Sequence, residues 1–254
     1  MADVEVERRG SAVWIRLNRP ERRNAYDAPM AHAVADALEE ATAARSVVIT
    51  GAGGSFCAGG ALTGLAKPTV EEMRKLYRAS LRLFDAIRQC PRPVIAAVGG
   101  AAAGGGNELV VACDLAVATR SATFGQTGPR VGSAPVTGAT NVLSIQIGEK
   151  RAKEMAMLCS RYSAEQALGL GLINEVVDDD ALERRVGEMC AEIEALSPRY
   201  LEITKTSSNI WWNAARDSFS TGVGMLVQAI GSPDMLEGAN AFLEKRPPRF
   251  PDPS

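Results

Sequence analysis

The chain has 254 residues, of which 46% are hydrophobic, 23% charged and 5% aromatic. This composition is that of one globular domain, or of one domain with an appendage, and it excludes a disordered or fibrous chain. The 28 Lys and Arg residues nearly balance the 30 Asp and Glu residues, for a net charge of −2. That balance argues against a nucleic-acid-binding protein that relies on a basic face.

The first ten residues contain no apolar run, so we expect neither a signal peptide nor a membrane anchor and predict a cytoplasmic protein. The 5 cysteines are widely spaced, and no pair has the spacing of metal ligands, so we predict no metal site and no disulfide framework. The single histidine, His32, lies among alanines on a predicted helix. Since no Ser or Cys lies near it in the sequence, a packing or surface role is favoured over a catalytic one.

The first predicted elements are a strand and an amphipathic helix. Residues 13, 15 and 17 are apolar and alternate with Trp14 and Arg16, which predicts a strand with one buried face. In the helix that follows, Asp27 is a suitable N-cap and Pro29 lies in the first turn. Apolar residues then recur at helical spacing, at Met30, Val34, Leu38 and Ala41.

The chain then repeats a buried strand, a glycine-rich loop and a helix. The strand at 47–50 runs into the loop 51–60, and the strand at 94–98 runs into the loop 99–106. This alternation is typical of an α/β protein. The helices and the further strand of this region are predicted at about 70–89, 107–113 and 115–119.

The C-terminal part of the sequence is mostly helical. Leu182, Val186, Met189, Ile193 and Leu196 form one apolar stripe, and Ser-Pro at 197–198 breaks the pattern. We therefore predict a core domain over 1–196 and a helical region over 197–254.

The two glycine loops require a common explanation. A dinucleotide fingerprint beginning at Gly51 would need glycine where Phe56 stands, and no Gly-Lys-Ser or Gly-Lys-Thr occurs, so nucleotide binding is disfavoured. Close packing of strand and helix would explain one such loop. Two loops can also each point a backbone N–H at the same ligand oxygen, as in an oxyanion hole, where each donor contributes about 3–4 kcal/mol.

Six segments, in this order over almost the whole chain, resemble the crotonase (enoyl-CoA hydratase/isomerase) superfamily. They are LNRPERRNA (17–25), GAGGSFCAGGAL (51–62), PVIAAVGGAAAGGGNELVVACDLAVA (93–118), SATFGQTGPRVG (121–132), YSAEQALGLGLINEVV (162–177) and EGANAFLEKRPPRF (237–250). The resemblance implies an α/β fold, a crotonase-type spiral of β-β-α units with a C-terminal helical trimerisation region, and commonly a dimer of trimers. It also implies a coenzyme A thioester substrate, with no metal and no separate cofactor. The charge balance and the absence of a long apolar run predict no nucleic-acid or membrane partner.

The resemblance assigns roles to residues of these segments. The amides of Gly60 and Gly105 would hold the thioester carbonyl. The family often has Asp where this chain has Ala61, so a polar contact to adenine is expected to be lost here. The residues matched to contacts with CoA, the last two from a neighbouring subunit, are Arg22, Arg23, Ala25, Ala58, Ala61, Leu62, Phe242 and Lys245.

The same matching places one acid/base group in the site. Hydratases of the family use two glutamates that share a water, and the first of them matches Glu108. Its apolar neighbours in the sequence predict that it is buried. Burial would raise the pKa of its carboxyl group, as a general acid/base requires. A structural glutamate in the first turn of a helix is the alternative. Gly128 stands where the second carboxylate is expected. Thr127, Gly128 and Ser133, with Thr137, Thr140 and Asn141, are predicted to line the acyl pocket, although loop and cap roles are common for such residues.

Three functions stay open at this point. We favour an enoyl-CoA hydratase or isomerase with Glu108 as the only acid/base. The segment 124–177 also resembles the branch of dihydroxynaphthoyl-CoA synthase and ketocyclohexanecarboxyl-CoA hydrolase, which implies Claisen-type chemistry on a cyclic or β-keto acyl-CoA. That branch has Asp where this chain has Ala134-Pro135, and a C-terminal tyrosine near Leu226. The third alternative is a non-catalytic subunit that binds acyl-CoA.

Overall fold

The computed structural model describes residues 2–61, 67–137 and 139–251. Leu62, which was predicted to contact CoA, lies outside these residues, and the side chain of Thr140 is also not described.

Two sheets form the centre of the α/β fold. The larger sheet has the order β1-β2-β3-β5-β7-β10; β1 is antiparallel to β2 and the other pairs are parallel. Its strands are Val4–Arg9, Ala12–Leu17, Ser46–Gly51, Val94–Val98, Leu115–Thr119 and Glu175–Val177. The smaller sheet has the order β4-β6-β8-β9, with strands Ser55–Cys57, Ala101–Ala103, Thr123–Gly125 and Arg161–Ser163.

Ten helices are found among the described residues. They are α1 Ala28–Glu40, α2 Val70–Gln89, α3 Gly105–Ala112, α4 Ala139–Ile147, α5 Glu149–Met157, α6 Ala164–Leu170, α7 Leu182–Glu194, α8 Pro198–Ser208, α9 Ile210–Gln228 and α10 Pro233–Leu243. Short 3-10 turns lie at Pro20–Arg22, Ala41–Ala43 and Gly128–Val131. None of the described helices combines the length and apolarity that a membrane crossing needs.

The predicted helices α1 and α2 are confirmed. Asp27 caps α1, its carboxylate accepting a hydrogen bond of 3.0 Å from the backbone N–H of Met30, and α2 covers the predicted residues 70–89. Helix α3 begins at Gly105, two residues before its predicted start, because Gly104 is its N-cap with φ of 54°. The earlier start places the Gly105 N–H at the open N-terminus of the helix.

Strand β2 is covered on both faces, contrary to the prediction of one buried face. Trp14 is 3% exposed and packs with Val186 and Met189 of α7, while Ile15 on the opposite face belongs to the main core. The guanidinium of Arg9 lies 4.3 Å from the centre of the Trp14 ring. The alternation in sequence shows the two faces of the strand. It does not show that α7, which begins 165 residues after the end of the strand, covers the second face.

Sheet topology brings the two glycine-rich loops together. Strand β3 is followed by β4 and β5 by β6, so each unit passes from the larger sheet to the smaller one. Strands β4 and β6 are parallel neighbours, with Ser55 opposite Ala101 and Cys57 opposite Ala102. Because parallel neighbours leave a sheet at the same edge, the loop after β4 and the start of α3 lie side by side.

An ion pair of the buried Lys205 with the half-buried Asp114 anchors the C-terminal helices to the sheet. The ammonium of Lys205 on α8 lies 2.7 Å from Asp114 Oδ2 and donates to the carbonyls of Ile87 (2.9 Å) and Arg92 (3.0 Å). The same Asp114 oxygen accepts a bond of 2.8 Å from the Val94 N–H at the start of β5. Further along, Trp212 and Phe219 of α9 belong to the main core.

We expect Lys205→Met to lower the free energy of unfolding by about 3–5 kcal/mol, because the Asp114 carboxylate, with a side-chain exposure of 19%, loses its cation. The matched control is Lys153→Met, which removes an exposed lysine paired with Glu149 and should cost at most about 1 kcal/mol. Denaturant unfolding followed by tryptophan fluorescence gives both values. Equal losses in the two variants would show that the pair of Lys205 with Asp114 has no special role.

Candidate active site

One cavity of about 100 Å³ contains the three residues that were predicted to be catalytic. Gly60 lies at the end of the first glycine loop, and Gly105 and Glu108 lie in the first turn of α3. Of the residues predicted to bind substrate, those that line the same cavity are Ala58, Ala61, Thr127, Gly128, Ser133 and Thr137. The structure therefore assembles residues that lie up to 79 positions apart in the chain.

The two glycine loops touch at Gly59. This residue has φ of 95°, and a Cβ atom built on it would lie only 2.7 Å from Gly105 N and 3.0 Å from the carbonyl oxygen of Ala103. Gly106 is equally close, since a Cβ there would lie 2.0 Å from the carbonyl oxygen of Cys57. Glycine is thus required on both sides of the contact, and this close approach places the Gly60 and Gly105 amides at one cavity.

Neither the Gly60 nor the Gly105 N–H donates a hydrogen bond to another described residue. The Gly105 N–H also lies at the positive end of the α3 dipole. Two free amides that reach the same cavity are suited to hold an oxygen that gains negative charge.

Glu108 is buried on the same side of α3 as Gly105, one turn further along, and is 7% exposed. Its two carboxylate oxygens accept hydrogen bonds from Thr137, one from the backbone N–H (3.2 Å) and one from the hydroxyl (2.9 Å). The sequence predicted Thr137 only as a pocket residue. Its contact with Glu108 holds the carboxylate in one orientation at the cavity wall.

Tyr26 is a residue of the cavity that the sequence analysis did not identify. Its backbone N–H donates to Gly59 and its carbonyl accepts from Ala61, each at 2.9 Å, so these two bonds flank Gly60. Burial raises the pKa of the Tyr26 hydroxyl far above its usual range, and the nearby Glu108 carboxylate raises that pKa further. The phenol is therefore a neutral group at any physiological pH. The one sequence signal for Tyr26 was its position directly after Asn24 and Ala25, which end the first family segment.

No second carboxylate lines the cavity among the residues that the structure describes. Gly128, at the place expected for it, lines the cavity, but a Cβ there would lie 2.9 Å from both the Cα of Ala134 and the carbonyl oxygen of Ser133. Among the described residues that line the cavity, Glu108 has the one charged side chain. The segment 133–135 thus occupies the space that a longer side chain at 128 would need.

We expect Gly128→Glu to destabilise the fold by about 1–3 kcal/mol rather than to supply a second acid/base group, because the new side chain collides with backbone atoms. Thermal unfolding and turnover measure the two effects. Gly169→Glu is the control, since a Cβ at Gly169 meets no atom within 4 Å. A Gly128→Glu protein as stable as the control and more active than the parent would contradict this interpretation.

Helix α9 contributes to the wall of the cavity. Leu226 lines it together with Met73, Leu76 and Tyr77 of α2, and Met73, Tyr77 and Leu226 pack in one apolar cluster with Met235 of α10. An apolar side chain therefore occupies the region for which the Claisen-type branch predicted a tyrosine.

The other predicted CoA contacts that the structure describes do not line this cavity. Arg22 and Arg23 are exposed and Ala25 is half-buried; the carbonyl of Arg23 accepts a bond of 2.9 Å from the Ala58 N–H, so this segment adjoins the first glycine loop. Phe242 on α10 is 54% exposed, and Lys245, just after this helix, is also exposed.

Cysteine and histidine residues considered as nucleophiles or metal ligands do not line the cavity. Cys57 is fully buried and its thiol donates to the carbonyl of Asn24 (3.1 Å). Burial raises its pKa to about 12, so this thiol packs in the core and is not an activated nucleophile. His32 is exposed, with its Nδ1 3.2 Å from a guanidinium nitrogen of Arg82. Within the described ranges, no three His, Cys, Asp or Glu side chains come together as a metal site requires.

Comparisons with known proteins identify the family of the chain. The family model described as enoyl-CoA hydratase/isomerase matches residues 7–253. A probable enoyl-CoA hydratase of Rhodobacter capsulatus is 38% identical over 243 residues, which cover 93% of each chain.

Solved structures give the same result. An enoyl-CoA hydratase from Mycobacterium avium subsp. paratuberculosis superposes with a TM-score of 0.87 at 29% identity, covering 99% of both chains. A carnitinyl-CoA hydratase from Mycobacterium avium superposes with a TM-score of 0.86 at 32% identity, covering 98% of both chains. The chain belongs to the enoyl-CoA hydratase/isomerase (crotonase) family and is an enzyme of that family.

Proposed function

We propose that the protein is an enoyl-CoA hydratase or isomerase in which the Gly60 and Gly105 amides stabilise the thioester oxyanion and Glu108 is the only acid/base. The observation that carries the proposal is the single cavity that joins two unpaired amides to one buried carboxylate. The names of the similar proteins support an acyl-CoA substrate.

One carboxylate is sufficient for either reaction. In hydration, Glu108 takes a proton from water as the water oxygen bonds to Cβ, and the electron pair of the double bond moves into the thioester. The resulting enolate oxygen is held by the two amides, and Glu108 returns the proton to Cα. In isomerisation, Glu108 removes a proton from one carbon of the acyl chain and returns it to another through the same enolate.

The proposal assigns the CoA portion to the mouth of the cavity. Arg22, Arg23 and Ala25 border the first loop and would meet the nucleotide, and Ala61 would lie at the adenine. Ala58, which lines the cavity, would also contact CoA. Phe242 and Lys245 are exposed in the single chain, in keeping with a contact to CoA on a neighbouring subunit of a trimer. Sedimentation tests this assembly, and a monomer at working concentration would overturn it.

Carbon–carbon bond chemistry has less support in this cavity. The positions where that branch places its Asp and Tyr hold residues without an acid or base, Ala134, Pro135 and Leu226, and all three line the cavity. A reaction of this kind would have to proceed with Glu108 alone.

The deciding experiment is incubation of crotonyl-CoA, saturated acyl-CoAs and β-keto acyl-CoAs in D₂O, with mass spectrometry of the thioesters. We expect hydration of the enoyl ester or exchange of α-hydrogens for deuterium. Cleavage or condensation of the acyl chain would place the protein in the Claisen-type branch. Binding of all these esters with no change in any of them would contradict the catalytic role of the cavity toward this substrate class.

A further inference from the structure

The position of Tyr26 connects the two loops that carry the amides. Its backbone bonds to Gly59 and Ala61 fix it beside Gly60. Its ring reaches the second loop, where a Cβ built on Gly105 would lie 2.5 Å from the phenolic oxygen and 3.1 Å from Cζ. The hydroxyl therefore lies next to the first residue of α3, at the wall of the same cavity.

Within the described part of the chain, the hydroxyl of Tyr26 makes no short hydrogen bond. Among the described residues its one hydrogen-bond contact is with Ser80 Oγ, at 3.4 Å. The Ser80 hydroxyl has a single proton and makes a shorter bond of 2.9 Å to the carbonyl of Leu76. Tyr26 is only 3% exposed, so bulk water does not compensate, and leaving a buried hydroxyl so poorly bonded is costly.

We propose that the Tyr26 hydroxyl is a third hydrogen-bond donor to the thioester oxygen, beside the amides of Gly60 and Gly105. This inference rests on the proposed function, because it assumes that the carbonyl binds between those amides. A bound carbonyl oxygen would give the buried phenol a closer acceptor than Ser80 Oγ, which lies at 3.4 Å. The donor is a side chain, so a substitution removes it without changing the backbone of either loop.

The donor also adds to what Glu108 can achieve alone. Negative charge on the thioester oxygen grows as Glu108 moves a proton or activates water, and every aligned donor in a water-poor site lowers the energy of that state. A third donor thus raises the acidity of the α-carbon in a site that lacks a second carboxylate. Loss of the hydroxyl should lower kcat by about 10²–10³, with little change in KM.

The test uses furylacryloyl-CoA, a conjugated thioester whose near-ultraviolet absorption moves to longer wavelength when its carbonyl is polarised. We expect a red shift on binding to the parent protein, a smaller red shift with Tyr26→Phe, and the parent's shift with Tyr162→Phe. Tyr162 is a matched control, because it is a buried tyrosine that does not line the cavity. Its ring belongs, like that of Tyr26, to the main core.

The outcomes separate this inference from the proposed function. A full red shift in Tyr26→Phe, or an equal reduction in Tyr162→Phe, would overturn the role of Tyr26 while leaving the two amides in place. A parent protein that binds the probe without any red shift would overturn the oxyanion site itself. If Tyr26→Phe does not fold, 3-fluorotyrosine placed at position 26 gives a stronger donor and must enlarge the red shift; an unchanged shift would contradict the proposal.

Discussion

Replacement of Glu108 by Gln is expected to reduce turnover of an accepted acyl-CoA by about 10²–10⁴, the contribution of a positioned acid/base. The amide keeps the shape of the side chain and cannot take up or return a proton. Binding of the CoA ester should persist, because the amides of Gly60 and Gly105 and the CoA contacts are unchanged. Deuterium exchange at the α-carbon, hydration rate and ester affinity, measured together, separate loss of chemistry from loss of binding.

The control for this variant is Glu188→Gln, which changes an exposed glutamate on α7 that pairs with Arg184 and should leave turnover unaltered. In the parent protein both oxygens of Glu108 accept hydrogen bonds from Thr137. The new amide in Glu108→Gln has only one oxygen to accept them, so circular dichroism is needed to verify that the variant keeps its fold. A folded Glu108→Gln protein with the parent's rate would exclude Glu108 as the acid/base.

Replacement of Gly59 by Ala should lower kcat by about 10²–10³, the effect of misplacing one oxyanion donor. The new Cβ would lie 2.7 Å from Gly105 N, so the loops must separate and the two amides can no longer converge on one oxygen. Steady-state kinetics with the best substrate of the acyl-CoA series, and the red shift of bound furylacryloyl-CoA, report the loss independently.

Gly54→Ala is the matched control for the loop. Gly54 also has positive φ, 76°, but a Cβ there meets nothing within 4 Å. Both variants carry the backbone strain of about 1–3 kcal/mol that a side chain causes in this conformation, and only Gly59→Ala adds the collision with the second loop. Equal losses of kcat in the two variants would mean that strain, rather than the contact between loops, explains the effect.

Local patterns were sufficient to predict several elements of the fold. The capping residue Asp27 and the apolar spacing after it define α1, and the buried run 94–98 defines β5, since both signals depend on residues a few positions apart. The burial of Trp14 could not be predicted, because the helix that covers it, α7, is distant in sequence. Thr137 was predicted near the pocket, but its two bonds to Glu108 depend on a loop that comes 29 residues later.

The site itself divides in the same way. The sequence determined which groups are available: the glycines of two loops, one glutamate in a helical first turn, and no carboxylate at 128. The tertiary structure decided how they meet. It brought Gly59 against Gly105, placed Leu226 of the C-terminal helices in the cavity wall, and left the Tyr26 hydroxyl beside the second loop without a short bond. The physical reason is that side-chain types and local propensities are properties of neighbouring residues, whereas close approach, burial and unpaired donors arise only when distant segments pack together.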